Sequence, residues 1–185
     1  MSNTPSNMLP LGTMAPNFLL PDTVSQDKLN LSDLQGEEGT LILFICNHCP
    51  FVIHVIEEVS RIAKEYQRKG IKTIAISSND IVNYPQDAPA HMSKFADKFD
   101  FSFPYLFDET QEVAKAYQAA CTPDFFLFDN TLKLVYRGQL DGSRPGNGIP
   151  VTGKDLKHAM DQLLKGAQIP AEQKPSMGCN IKWKK

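Results

Sequence analysis

Cys46 and Cys49 bracket two polar residues in the stretch Phe44-Ile45-Cys46-Asn47-His48-Cys49-Pro50. Thiols at this spacing suit disulfide exchange or metal binding, and the flanking elements decide between them. Upstream, Leu41-Ile42-Leu43-Phe44-Ile45 is a continuous apolar run, as a strand buried on both faces requires. Downstream, Val52, Val55, Ile56, Val59, Ile62, Ala63 and Tyr66 recur at helical spacing, and Gly70 stops the pattern. This predicts a helix over 50–69, with Pro50 in its first turn. Between a strand's carboxyl end and a helix start, a thiol meets unpaired N–H groups and the positive end of the helix dipole. Both stabilise a thiolate. The chemistry implied is thiol–disulfide exchange. Cys46, the outer residue, is expected as nucleophile. Cys49, expected further into the helix, would resolve the mixed disulfide. His48, when protonated, would favour the thiolate further, and a depressed thiol pKa makes a couple more oxidising.

Other assignments compete. Cys49 can be an ordinary buried helix cysteine, and His48 a polar loop residue without influence on the thiols. Cys46, His48 and Cys49 would bind zinc only with a fourth ligand, which Cys121 or Cys179 would have to supply through the fold. No second ligand pair is evident in the sequence, so neither a metal nor a cofactor is expected.

The remaining elements must position this pair. Residues 18–20 and 28–31 read as short strands around a turn at Pro21-Asp22, and 71–76 as a second buried strand. A polar loop over 77–88 leads to a helix over 89–99. A short strand at 105–107 and a helix over 110–119 make an extra β-α step. Residues 124–128 and 132–137 form a hairpin, and a last helix spans 154–165. The expectation is α/β: a mixed sheet flanked by helices, with an N-terminal hairpin and a β-α insertion. Residues 1–16 are expected as a flexible arm, 17–170 as one domain, and 171–185 as a tail that packs back on it. In that tail Cys179, Ile181 and the single Trp183 alternate after Gly178.

The chain has 185 residues, 42 % of them hydrophobic, enough for one core without staples. A net charge of −2 leaves no electrostatic footprint for nucleic acid. No secretory leader or bilayer-length apolar run is visible, so a cytoplasmic setting without membrane partners is expected. In a reducing compartment, four cysteines argue for catalytic, metal-binding or inert roles rather than a disulfide scaffold.

The stretches Phe44-Ile45-Cys46-Asn47-His48-Cys49-Pro50-Phe51-Val52, Cys121-Thr122-Pro123-Asp124-Phe125-Phe126-Leu127-Phe128-Asp129 and Pro175-Ser176-Met177-Gly178-Cys179-Asn180-Ile181-Lys182-Trp183 carry a family likeness. With Ser78-Asn79-Asp80 and Ser143-Arg144-Pro145-Gly146-Asn147, they resemble the alkyl-hydroperoxide-reductase/thiol-specific-antioxidant superfamily, in its peroxiredoxin-like branch. The resemblance implies a thioredoxin-like fold. It also implies a cis Pro123 opposite the dithiol, with Thr122 exposing backbone to an incoming peptide. A plain trans proline at a strand start is the alternative. Implied partners are a disulfide-bearing protein or small molecule and a cellular dithiol reductant.

The chain departs from two relatives of this fold. Peroxiredoxins place a threonine three residues, and a proline seven, before the reactive cysteine. Here those positions hold Leu43 and Gly39 for Cys46, and Cys46 and Ile42 for Cys49. Pro123 stands at the place of their arginine. Against thioredoxins, Ile45 replaces a tryptophan, Asn47-His48 replaces Gly-Pro, and no acid precedes Cys46 in its strand. Asp80, at the end of the next strand, is a candidate substitute proton acceptor, or else a solvated loop acid. Dithiol exchange is therefore the expected activity. Weak peroxidase chemistry and a non-catalytic peptide- or metal-binding module are the alternatives. Cys121 and Cys179 are possible additional thiols.

Overall fold

The computed structural model describes residues 3–185. Its centre is a five-stranded mixed sheet in the order β6-β5-β4-β8-β9. The strands are β4 (Gly39–Phe44), β5 (Ile71–Ser77), β6 (Tyr105–Phe107), β8 (Asp124–Asp129) and β9 (Leu134–Gly138). β4, β5 and β6 are parallel, while β8 and β9 run antiparallel to them. All six β4 residues are buried because both sheet faces are covered. Alternate side chains serve alternate layers. Leu41, Leu43 and Ile45 pack with α2 (Pro50–Gln67), α3 (Pro89–Lys98) and α5 (Lys154–Leu164). Ile42 and Phe44 pack with Phe18, Leu31, Ala114 and Tyr117 on the other side.

The expected N-terminal hairpin is present as β2 (Leu19–Pro21) and β3 (Lys28–Asn30), followed by a one-turn α1 (Leu31–Leu34) capped by Asn30. The extra β-α step is β6 and a short α4 (Glu112–Ala116). Helix ends fall within one to three residues of the sequence expectation, apart from α4, which is half the expected length.

The two chain ends depart from expectation. Residues 1–16 were expected to be flexible; Met1 and Ser2 lie outside the described residues, but Asn3–Pro5 is strand β1 and Leu9 is buried in the core. β1 pairs with β10 (Met177–Asn180), and β10 pairs with β7 (Cys121–Thr122), giving a small second sheet. The C-terminal segment thus contains a strand where its composition suggested no element. Long-range pairing, invisible to local patterning, fixes both ends. Within the segment Ile181 is 1 % exposed, whereas Trp183 is 40 % exposed and anchors less than its type suggested.

Burial of Ile181 makes it the hydrophobic anchor of the C-terminal segment. Ile181→Ala should therefore cost about 2–5 kcal/mol, the range for truncating a buried large aliphatic side chain. A urea midpoint indistinguishable from that of the unchanged chain would contradict this packing.

Candidate active site

The dithiol sits in the short crossing from β4 to α2. Helix α2 starts at Pro50 as expected, and Cys49 is therefore its N-cap and not an interior residue. This corrects the expected placement: Cys49 lies at the helix mouth, and Cys46 three residues outside it. Both sulfurs are buried. Cys46 Sγ lies 3.6 Å from Thr122 Oγ1 and 3.9 Å from His48 Nδ1. Cys49 Sγ lies 3.2 Å from the Thr122 carbonyl oxygen and 2.9 Å from Cys179 Sγ. The Thr122–Pro123 bond is cis, and Thr122 faces both thiols.

Hydrogen bonding from Cys46 lowers the Cys49 thiol pKa, to about 5. Cys179, Thr122 and the Val52 N–H add to this, against the cost of burial, although no side-chain capping bond is geometrically formed. Cys46 moves the other way, well above an ordinary thiol. It donates to Cys49, it is buried, and the Asp87 carboxylate opposes a second negative charge. The coupled pair thus gives up its first proton readily and its second at high cost. The N-cap position, where a helix start favours a thiolate, is held by Cys49, with Cys46 outside it.

His48 does not turn its charge to the thiols alone. Its Nδ1 lies 2.7 Å from Asp87 Oδ2, and its ring stacks on Tyr84. Asn47 is a clamp: its N–H donates to Asp87 Oδ1 at 2.9 Å, its Nδ2 donates to the Gln86 carbonyl, and its Oδ1 accepts from Tyr105. Asp87 also accepts from Asn79 Nδ2 at 2.9 Å. The acid beside the thiols is therefore Asp87. Asp80, the sequence candidate, instead spends its carboxylate on its own turn, at Val82 N and Asn83 Nδ2. Asp87 lies in a 3-10 turn (Pro85–Asp87) within the polar loop, where its composition gave no sign of burial. Its place two residues before a proline-initiated helix was the one available signal.

Cys121 shares β7 with Thr122, but its Sγ points to the Pro123 carbonyl at 3.6 Å. Burial, reinforced by Asp124, pushes its thiol far up. Cys179 is also pushed up, to about 12, by burial and by its contact with Cys49. Cys46, His48 and Asp87 bring three possible metal-ligand atoms within 4.8 Å of one another. These atoms already bond one another and Asn47 and Asn79, and they fall short of the four ligands of a structural zinc site.

Comparison with known proteins fits this geometry. The profile of the AhpC/TSA family matches residues 11–137. The chain belongs to the AhpC/TSA family. Among curated proteins it is similar to the thiol-disulfide oxidoreductase ResA of Geobacillus thermodenitrificans, 26 % identical over 131 residues, covering 71 % of this chain and 70 % of that protein. Among solved structures, an uncharacterized conserved protein from Geobacillus kaustophilus is 55 % identical, with a TM-score of 0.97, over 100 % of this chain and 97 % of the other. The thioredoxin domain of a thiol-disulfide oxidoreductase from Bacteroides vulgatus aligns at TM-score 0.59 and 17 % identity, over 70 % and 88 % of the two chains. This AhpC/TSA family member has a thioredoxin-like fold. No described helix is long and apolar enough to cross a membrane.

In the reduced protein, the alkylation rate should rise with pH through a midpoint well below the ordinary thiol value of about 8.5. Raising pH through about 5 deprotonates Cys49, so peptide mapping at pH 6 should place the label there first. Labelling of Cys46 alone at pH 6 would contradict the charge distribution.

Proposed function

We propose that this chain is a thiol–disulfide oxidoreductase whose redox centre is Cys46 and Cys49. One observation carries the proposal: both thiols meet at the start of α2, opposite Thr122 and cis Pro123. The similarity to ResA supports the same chemistry. The substrate is a disulfide in a protein or small molecule. The Cys49 thiolate attacks one substrate sulfur; a Cys49–substrate bond forms, and the other substrate sulfur leaves with the electron pair and takes a proton. Cys46 then attacks Cys49 Sγ and surrenders its proton. The Cys46–Cys49 bond forms, and the second substrate thiol departs. Two electrons and two protons have passed to substrate, and a cellular dithiol restores the reduced centre.

The elements around the pair support distinct parts of this sequence. The helix start holds the attacking charge. Asp87 opposes charge on Cys46, which keeps Cys46 protonated until Cys49 is consumed. His48 and Asn47 position Asp87. The threonine and arginine positions of the peroxiredoxin pattern hold Leu43 and Pro123 here, and the hydroxyl beside Cys46 comes from Thr122. The site is suited to disulfides more than to peroxide.

Reduction of insulin by dithiothreitol in the presence of the purified chain tests the proposal. The chain should accelerate it, and Cys49→Ser should return the rate to background. Undiminished turnover by Cys49→Ser would refute the assignment of the attacking thiol. Hydrogen peroxide should oxidise the reduced centre little faster than an ordinary low-pKa thiol. Stopped-flow oxidation at the rate of a true peroxiredoxin would favour a peroxidase instead.

A further inference from the structure

Three buried thiols, not two, meet at the start of α2. Cys49 is the hub: it shares Thr122 with Cys46 on the loop side and lies 2.9 Å from Cys179 on the strand side. A disulfide needs sulfurs about 2.0 Å apart, so Cys179 and Cys49 are within about 1 Å of bonding distance. We propose that Cys179 is a second resolving thiol, and that the redox centre exchanges its disulfide between Cys46–Cys49 and Cys49–Cys179. The proposal rests on the dithiol function argued above and extends it to a residue 130 positions away in sequence.

The placement of Cys179 follows from several independent contacts. β10 is paired on both edges, with Cys179 opposite Asn3 on one side and Thr122 on the other. Gly178 packs so closely on β7 that a Cβ there would sit 2.0 Å from the Thr122 carbonyl oxygen. Ser176 Oγ donates to the Pro123 carbonyl at 2.6 Å. Beyond the strand, Ile181 is buried, and the Lys182 N–H donates to Asn79 Oδ1 at 2.9 Å. Asn79 in turn holds Asp87, so the strand bearing Cys179 is tied to both sides of the site. An inert core cysteine would need only apolar neighbours; this one has a sulfur neighbour in the proposed redox pair.

The exchange balances without an outside oxidant. Starting from the Cys46–Cys49 disulfide, Cys179 gives up its proton and attacks Cys49 Sγ. The Cys49–Cys179 bond forms, the Cys46–Cys49 bond breaks, and Cys46 leaves with the electron pair and takes the proton. In a mixed disulfide on Cys49 the same attack expels the substrate thiol in place of Cys46. Cys46 is then free while the disulfide is stored between α2 and β10.

The test uses the full chain carrying Cys46→Ser and Cys121→Ser, leaving Cys49 and Cys179. The probe is 5,5′-dithiobis(2-nitrobenzoate). If Cys179 resolves, a second thionitrobenzoate follows the first, and the intact mass shows an internal disulfide without adduct. Adding Cys179→Ser should stop the reaction at a single stable adduct. A stable single adduct with Cys179 still present, or two separate adducts, overturns the proposal. If Cys49 takes no label in the folded protein, the underlying dithiol function fails, and the proposal fails with it. Mapping of the unsubstituted chain after limited oxidation guards against a folding defect in the variants. It should yield a peptide cross-linked between Cys49 and Cys179, and its absence beside an abundant Cys46–Cys49 disulfide counts against the relay.

Discussion

The junction between β4 and α2 is the constraint on which the rest of the site depends. β4 is buried on both faces and ends at Phe44, and α2 starts at Pro50 with its apolar face pressed on the same sheet. Five residues must cross between them, and two are cysteines. Neither element can shift without exposing core, so the helix start is held on the dithiol. Its unpaired N–H groups favour negative charge wherever a sulfur comes closest. That sulfur belongs to Cys49. Everything else around the pair, from Thr122 to Asp87, acts on a charge whose position this junction has fixed.

One negative charge is shared among donors of unequal strength. Cys46 and Cys179 both neighbour Cys49, and each is harder to deprotonate beside it. Burial alone would raise all three thiols. The contest is decided by the number of donors converging on one sulfur, and Cys49 gathers the most. Asp87 adds a sign to the arrangement: as an anion beside Cys46 it makes a second thiolate costly. The two cysteines of the motif are therefore unequal by construction.

Much of this was legible in the sequence. The apolar run before Cys46, the helical spacing after Pro50 and the Pro123 at the mouth of β8 placed the dithiol in its fold. They are local signals repeated over several residues. The helix start at Pro50 was legible too, but Cys49 was placed further into the helix than that start allows, and the structure makes it the cap. Asp87 was missed because its burial depends on Asn47, His48 and Asn79 arriving from other segments. The second sheet was missed for the same reason. β7 is two residues long, and β1 is a three-residue segment ending in proline, so neither carries a pattern of its own. Only the alternation of Cys179, Ile181 and Trp183 hinted at a strand, and a strand has no meaning without its partners.

That second sheet gives the chain ends a chemical consequence. Thr122 serves the thiols through its hydroxyl and its carbonyl while its backbone pairs with β10. A strand so close to Thr122 fixes the carbonyl that Cys49 meets, and it does so only because Gly178 has no side chain. Stabilising a thiolate stabilises the reduced form of a dithiol and makes its disulfide a stronger oxidant. Cys179 acts in that direction through its contact with Cys49. As a disulfide partner it acts in the opposite one, by giving the oxidised centre a second bonded arrangement. The two effects need the same sulfur in the same place. The balance between them sets the potential of the centre, and that balance is held by a C-terminal strand that a two-cysteine description of the site would leave out.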